Sequence, residues 1–545
     1  MAASPAPHPT GRPSISRWQL AAVLVLFAAA FATQALVSNV AFRLALADPA
    51  HDNLLPAALT AIARDAARFP LVQARIAIAS PAAWWPLALV SMAFVAVCLI
   101  DRRRGDRRSP PVIETAIAVG VCAGVLVWFL RGADVDWTQR DWPKEWTYFT
   151  AWQEAIRADQ LPWILRSQFQ GTDHLLANLE TMVAPQLVLL LWLSVPTFVM
   201  VNLLGYAMAG TVGLYRTSRE HGIDSAARFA LLLLFVMNGH ITSHLAAGHL
   251  QWAAYFLLPL VFLFLTRVAN GTGDTVANGA GLSLTFAAML MPGGWHVFVW
   301  AWLFTLTFGA MSRSRWRFMA VTCALTAGTT AFRVLPGVTA FGGGTNTFMG
   351  GFADLPAFVN ALVGAAGWEE DTFLGWTGFV IACLGLTSVF RSTHHSTRAL
   401  WLPSLVLVVL SFHDLYGRTL FHLPGFVSER VTSRLAIVGV LGWLFLGFQQ
   451  VSEWRPRSHS SLRQAVVMVA GLILVTQLVL HAQAVRPTAS AGQDPAVAAA
   501  LKPMAPDATY RYSVMAGWLI SAAAAAYAIR CMTRREGVLQ PARSS

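Results

Sequence analysis

The chain has 545 residues, of which 56% are hydrophobic and only 12% are charged, and its formal net charge is +12. Soluble globular proteins carry roughly 25% charged residues, so this composition excludes a water-soluble fold of that size. The positive charge does not indicate nucleic-acid binding either, because the arginines stand in small groups between apolar blocks rather than along one face or in a tail.

The apolar residues fall in blocks near the length of about 20 residues that a helix needs to cross a bilayer. They predict an all-α, polytopic integral membrane protein with about 14 transmembrane helices. The predicted spans are centred on 18–39, 83–100, 111–130, 196–215, 224–239, 250–267, 275–291, 295–311, 318–336, 374–390, 399–413, 434–450, 463–482 and 513–530. The five cysteines are scattered singly with no CxxC pair, so neither a disulfide nor a zinc site is expected.

Arginines recur in every second loop, which is typical of loops that stay in the cytoplasm. With Arg12 and Arg17 inside, both termini are predicted to be cytoplasmic. The predicted organisation is a cytoplasmic tail (1–17), a transmembrane core (18–450), C-terminal transmembrane helices (451–530) and a second tail (531–545). The same parity places five longer segments outside, namely 40–82, 131–183, 337–373, 414–433 and 483–512.

The outer segment 131–183 contains the most informative polar residues. Asp134, Asp136 and Asp141 lie within eight residues, and Trp142 is one of three tryptophans among them. Carboxylates in this position can act as a general base or bind a divalent cation, and tryptophans can stack on a sugar or anchor at the headgroups. The same composition is also compatible with an ordinary solvated loop bordered by interfacial aromatic residues.

Other polar residues stand out near predicted outer ends. His240 and His244 have the i,i+4 spacing of metal ligands, but no HExxH pattern surrounds them, so hydrogen bonding to a sugar or headgroup fits them and His249 better. Arg333 lies inside an apolar block, where it either extends to the interface or grips a phosphate.

The order of several motifs resembles a known family. Asp141 is followed by an amphipathic stretch, Leu161-Pro162-Trp163, Gly171, Ala177-Asn178 and Pro185, and then by a span ending in Leu214-Tyr215-Arg216. This order resembles the first outer loop of bacterial GT-C-type membrane glycosyltransferases, most closely the YfhO-like branch. Later motifs keep the family's order over roughly residues 110–450. They include Glu369-Glu370-Asp371 before Leu374-Gly375, and Pro424-Gly425-Phe426 with Arg430 and Ser433-Arg434.

The resemblance implies transfer of a sugar from a polyprenyl-phosphate-linked donor to a lipid, glycan or protein acceptor, among membrane lipids on the outer face of a bacterial inner membrane. Asp141, or else Asp136 or Asp134, would be the catalytic base. It leaves the cofactor open, with a divalent cation such as Mg or Mn as the candidate. The expected substrate-binding residues are Arg333, Arg430, Arg434, His249, Trp142, Asn178, Glu369 and Glu370.

Two other function classes fit the same composition. A lipid or glycan transporter or flippase would have many spans, although such proteins commonly carry ionisable residues and inverted repeats near the midplane. A non-catalytic assembly protein of the cell envelope would use the outer acids only for solvation.

Overall fold

The computed structural model describes residues 81–103, 112–130, 140–167, 171–340, 347–364, 366–367, 369–390, 395–423, 426–427, 429–453, 461–486 and 506–533. These residues are mainly helical, with one antiparallel hairpin formed by β1 (Leu165–Ser167) and β2 (Gly171–Asp173). The predicted span 18–39 and the acidic residues Asp134 and Asp136 lie outside the described residues.

Each predicted span after 18–39 coincides with helical structure. The α-helices are α1 (Pro81–Arg103), α2 (Val112–Leu130), α3 (Trp142–Arg157), α4 (Val195–Glu220), α5 (Ser225–Met237), α6 (Gly239–Ala246), α7 (Leu258–Ala269), α8 (Thr275–Leu290), α9 (Trp295–Ala310), α10 (Trp316–Thr329), α11 (Ala331–Ala340), α12 (Leu355–Val363), α13 (Gly375–Leu386), α14 (His395–Leu410), α15 (His413–Arg418), α16 (Ala436–Glu453), α17 (Ser461–Val485) and α18 (Ala508–Thr533). Short 3-10 helices are formed by Pro185–Leu191, Leu250–Leu257, Arg313–Arg315, Thr387–Phe390, Leu420–His422 and Thr432–Leu435.

Seven helices in the described part of the chain are long and apolar enough to cross a membrane. The number becomes eight if the segments Arg313–Thr329 and Ala331–Ala340, bent by 64° at Thr330, form one span. Five shorter apolar helices occupy other predicted blocks. The predicted fold class, an all-α polytopic membrane protein, is therefore confirmed, and the number of 14 spans stays a prediction.

Asn238 breaks the span formed by α5 and α6. Its side-chain oxygen accepts a hydrogen bond from the Ile241 amide, as an N-cap of α6, and its Nδ2 donates to the Leu234 carbonyl and to the Tyr255 hydroxyl. A single amide thus satisfies polar groups on both sides of the break, which a buried backbone requires in lipid. The break positions the histidine-rich segment that follows it.

A buried ion pair joins α2 to α5. Arg228 Nη1 lies 3.0 Å from Glu114 Oε1, and Ser225 Oγ donates to the other carboxylate oxygen at 2.8 Å. Both charged side chains are almost completely buried, at 1% and 0% exposure. A buried pair of this kind is strongly coupled, because removing either partner leaves the other charge desolvated.

Candidate functional site

The site begins where the segment before α3 packs against the end of α6. The Asp141 amide donates to the Ala247 carbonyl at 3.1 Å, and Trp142 Nε1 donates to the Ala246 carbonyl at 3.2 Å. Gly248 adopts φ +90°, and a β-carbon there would lie 2.7 Å from the Trp142 amide nitrogen. Only glycine permits both that conformation and that approach, so Gly248 helps to place Asp141.

Asp141 contacts a histidine and a lysine through the same carboxylate oxygen. Its Oδ2 lies 3.0 Å from His249 Nε2 and 3.7 Å from Lys144 Nζ, while the side chain remains 41% exposed. The hydrogen bond from His249 lowers the pKa of Asp141 against the opposing effect of partial burial, and the nearby Lys144 charge adds to the lowering. The carboxylate is therefore ionised at neutral pH while it stays accessible.

A second carboxylate, Glu180, shares Lys144 with Asp141. Lys144 Nζ lies 3.7 Å from Glu180 Oε2, and His296 Nε2 lies 3.4 Å from Glu180 Oε1. Burial alone would raise the pKa of Glu180, but the hydrogen bond and charge of His296, together with Lys144 and Arg430, lower it well below its usual range. Lys144 thus lies between two ionised acids, and their charges, together with that of Glu145, raise its own pKa against the effect of burial.

His296 continues this network into the bundle. Its Nδ1 lies 2.7 Å from Glu429 Oε1, and Trp300 Nε1 donates to Glu429 Oε2 at 2.7 Å. Glu429 is 1% exposed, so its charge is compensated inside the protein rather than by water. The chain from Glu180 through His296 to Glu429 links the loop before α4 to α9 and to the segment before α16.

The segments around residues 369 and 434 form another part of the site. Arg434 makes an ion pair with Glu369, and its guanidinium carbon lies 5.3 Å from the centre of the Trp252 ring. Burial, followed by the charge of Glu369, raises the pKa of Glu370. Arg430 is exposed and contributes positive charge near Glu180. Arg430 therefore lies near Glu180, and Arg434 and Glu369 contribute charge near His249. The substrate contact expected for Glu370 stays a prediction.

Arg333 contacts the backbone of the loop that carries Glu180. Its Nη1 donates to the Leu176 carbonyl at 3.2 Å, and its Nη2 donates to the carbonyls of Asn178 and Thr181. The side chain is fully buried, at 0% exposure. The phosphate contact expected for Arg333 stays a prediction, whereas its contacts in the structure hold residues 176–181.

Asn178 and Trp142 also act through structure. Asn178 Oδ1 accepts a hydrogen bond from the Glu180 amide at 3.0 Å, so it shapes the turn that presents Glu180. Trp142 is 1% exposed and faces α6 rather than open space. The expected substrate contacts of both residues stay predictions.

Several site residues received no role from the sequence alone. They are Lys144, Glu180 and Glu429. Glu180 follows the Ala177-Asn178 motif and Lys144 follows Asp141 by three residues, so their positions in the chain offered a signal. Glu429 and His296 lie 133 residues apart, and only the tertiary structure brings them together.

A divalent cation has no evident set of protein ligands within the described residues. No group of three or more His, Cys, Asp or Glu side chains there converges as metal ligands would. Asp141 and Glu180 instead pair with Lys144 and with histidines. The divalent cation that the resemblance leaves open stays a prediction.

No family model and no curated protein matches the chain. The cryo-EM structure of arabinofuranosyltransferase AftD from mycobacteria is similar over 70% of this chain, with 16% sequence identity and a TM-score of 0.48. A structure of a mutant AftD matches the same share, with 15% identity and a TM-score of 0.47. This chain covers 28% of the length of each of those chains.

Proposed function

We propose that this chain is a GT-C-type membrane glycosyltransferase that transfers a hexose or pentose from a polyprenyl-phosphate-linked donor to an acceptor hydroxyl on the outer face of the bacterial inner membrane. The observation that carries the proposal is the state of Asp141, a carboxylate that is ionised yet 41% exposed. A general base must be deprotonated and must reach its substrate, and Asp141 meets both requirements.

The reaction uses the two oxygens of Asp141 differently. Both of its ion pairs are made by Oδ2, so Oδ1 is the oxygen that we assign to the acceptor hydroxyl. Asp141 takes the hydroxyl proton as the acceptor oxygen forms a bond to the anomeric carbon of the sugar. The bond between that carbon and the phosphate oxygen breaks, and the lipid phosphate leaves with the electron pair.

The leaving phosphate carries negative charge that a nearby cation would stabilise. Arg430 is the exposed arginine of the site, and Arg434 lies beside Glu369 and Trp252. Guanidinium groups hold phosphate oxygens in a planar fork, which suits them to this role. Lys144 lies between Asp141 and Glu180, where its charge adds to the lowering of both pKa values by His249 and His296.

The test compares Asp141→Asn with Asp159→Asn, a matched control because Asp159 is an exposed acid at the other end of α3. Membranes containing each form are incubated with synthetic polyprenyl-phosphate sugars, one at a time, each radiolabelled in the sugar. We expect Asp141→Asn to reduce transfer by a factor on the order of 100 or more, and Asp159→Asn to leave it unchanged.

The same variants are then compared in cells for glycans and lipid-linked intermediates. If Asp141→Asn leaves these products and the transfer of labelled sugar at the wild-type level, the chain is not the enzyme proposed. Movement of labelled lipid across the membrane without sugar transfer would instead indicate a transporter or flippase.

A further inference from the structure

Three histidines lead from Asp141 into the bundle. His249 Nε2 lies 3.0 Å from Asp141 Oδ2, His249 Nδ1 lies 2.8 Å from His244 Nδ1, and the rings of His244 and His240 lie 4.6 Å apart. All three side chains are buried, at 6%, 0% and 1% exposure. His249 therefore uses both ring nitrogens, one toward the carboxylate and the other toward His244.

The hydrogen-bond pattern determines which nitrogens carry protons. An ionised Asp141 only accepts hydrogen bonds, so His249 Nε2 must carry a hydrogen and donate a hydrogen bond to the carboxylate. A neutral His249 then has a lone pair on Nδ1, which requires His244 to donate from its own Nδ1. His244 thus selects the tautomer of His249 that can donate to Asp141.

The surroundings of His249 favour its neutral form. Burial lowers the pKa of His249, and Arg434 adds to the lowering, against the opposing effect of Asp141 and Glu369. The ring of His244 lies 4.6 Å from that of His240 and 5.0 Å from that of His249. The Trp252 ring lies 4.7 Å from the His244 ring and 5.7 Å from the His249 ring, so it restricts the rotation of both imidazoles.

We propose that His249 and His244 are positioning residues for the base of the transfer reaction: His244 holds His249 in one tautomer, and His249 orients the Asp141 carboxylate and keeps it ionised. The inference rests on the proposed function. The roles are the reverse of a hydrolase triad, in which a carboxylate orients a histidine base. The proton that Asp141 accepts leaves to water from its exposed side, and the histidines do not carry it inward.

The first test uses a labelled donor that the wild-type protein turns over, with His249→Ala, His249→Gln and the exposed control His422→Ala. Loss of the hydrogen bond raises the pKa of Asp141. His249→Ala should therefore shift the acid limb of the kcat/KM profile to higher pH and lower kcat on the order of tenfold or more. The glutamine amide can donate to Asp141, so His249→Gln should restore most of the rate, and His422→Ala should match the wild type.

The outcomes separate the two proposals. If Asp141→Asn abolishes transfer but His249→Ala keeps the wild-type acid limb, the positioning role is wrong and the proposed function stands. If Asp141→Asn has no effect on transfer, the proposed function itself fails.

A second measurement needs no substrate. The full chain is labelled with ¹⁵N-histidine in lipid nanodiscs, and the His249 ring signals are identified by their loss in His249→Ala. At neutral pH we expect a neutral ring with the proton on Nε2, and a shift of its signals in His244→Ala. A doubly protonated His249, or a proton on Nδ1 alone, would overturn the inference.

Discussion

Arg333→Met separates two roles that an arginine in this span can have. Methionine is a flexible, unbranched apolar side chain of similar volume, and it removes the donors to the carbonyls of Leu176, Asn178 and Thr181. A hydrogen bond from a charged group contributes about 1.5–3 kcal/mol, and a buried carbonyl left unpaired is costly. We expect a loss of about 3–5 kcal/mol, below the simple sum because part of loop 176–181 can turn toward water.

The measurements are thermal unfolding in nanodiscs and hydrogen exchange across residues 174–183. Arg333→Met should lower the unfolding temperature and accelerate exchange in that loop. Arg333→Lys should be intermediate, since an ammonium group cannot reach three carbonyls in the same fork geometry. The exposed Arg511→Met is the control and should behave as the wild type. A wild-type unfolding temperature combined with a many-fold higher KM for the donor would refute the loop-holding role and favour a direct phosphate contact.

Three further variants test the fold and the electrostatics of the site. Gly248 has a positive φ and lies close to the Trp142 amide, so Gly248→Ala should lower the free energy of unfolding by about 1–3 kcal/mol and reduce transfer. The control Gly205→Ala has open space around the new β-carbon and should change neither. Thermal unfolding measures the stability of the two variants, and kcat measures their activity. Glu114→Leu should destabilise by about 3–5 kcal/mol in thermal unfolding because it leaves Arg228 buried without its carboxylate, and adding Arg228→Met should recover most of the loss. Burial raises the pKa of Glu145 from 4.5 to about 8, so its contribution to stability is full below pH 4.5 and is lost as the pH rises through 8. Glu145→Gln removes this dependence, so the variant should be increasingly more stable than the wild type from pH 5 to pH 8, by on the order of a few kcal/mol in the free energy of unfolding at pH 8. The unfolding temperatures of the two proteins measure this difference, and a difference that stays constant with pH would contradict the raised pKa.

The sequence predicts the helices well because a membrane span depends on local composition. An apolar block of sufficient length is helical in lipid whatever its neighbours are, since each backbone group must be paired within its own segment. The sequence also predicts that Asp141 stands before a helix, because Trp142-Pro143 and the amphipathic residues after it are local signals. The segment 185–191, too short for a span, is a 3-10 helix in the structure.

Contacts between distant segments are a different matter. Nothing local in the chain indicates that Arg333 binds the carbonyls of residues 176–181, and its apolar surroundings equally suggest an interfacial or phosphate contact. The pairing of His296 with Glu429 likewise depends on how α9 packs beside the segment before α16.

The amino-acid sequence by itself determined that this is a many-span helical membrane protein, and it placed three acids in one outer loop, from which the family resemblance singled out Asp141. The tertiary structure alone decided which distant residues surround it, by bringing His249 within 3.0 Å of Asp141 and Glu180 within 3.7 Å of Lys144. The physical reason is range. Hydrophobicity and helix signals act within one segment of the chain, whereas the pKa of a carboxylate depends on every charge and donor within a few ångströms of it, whichever segment supplies them.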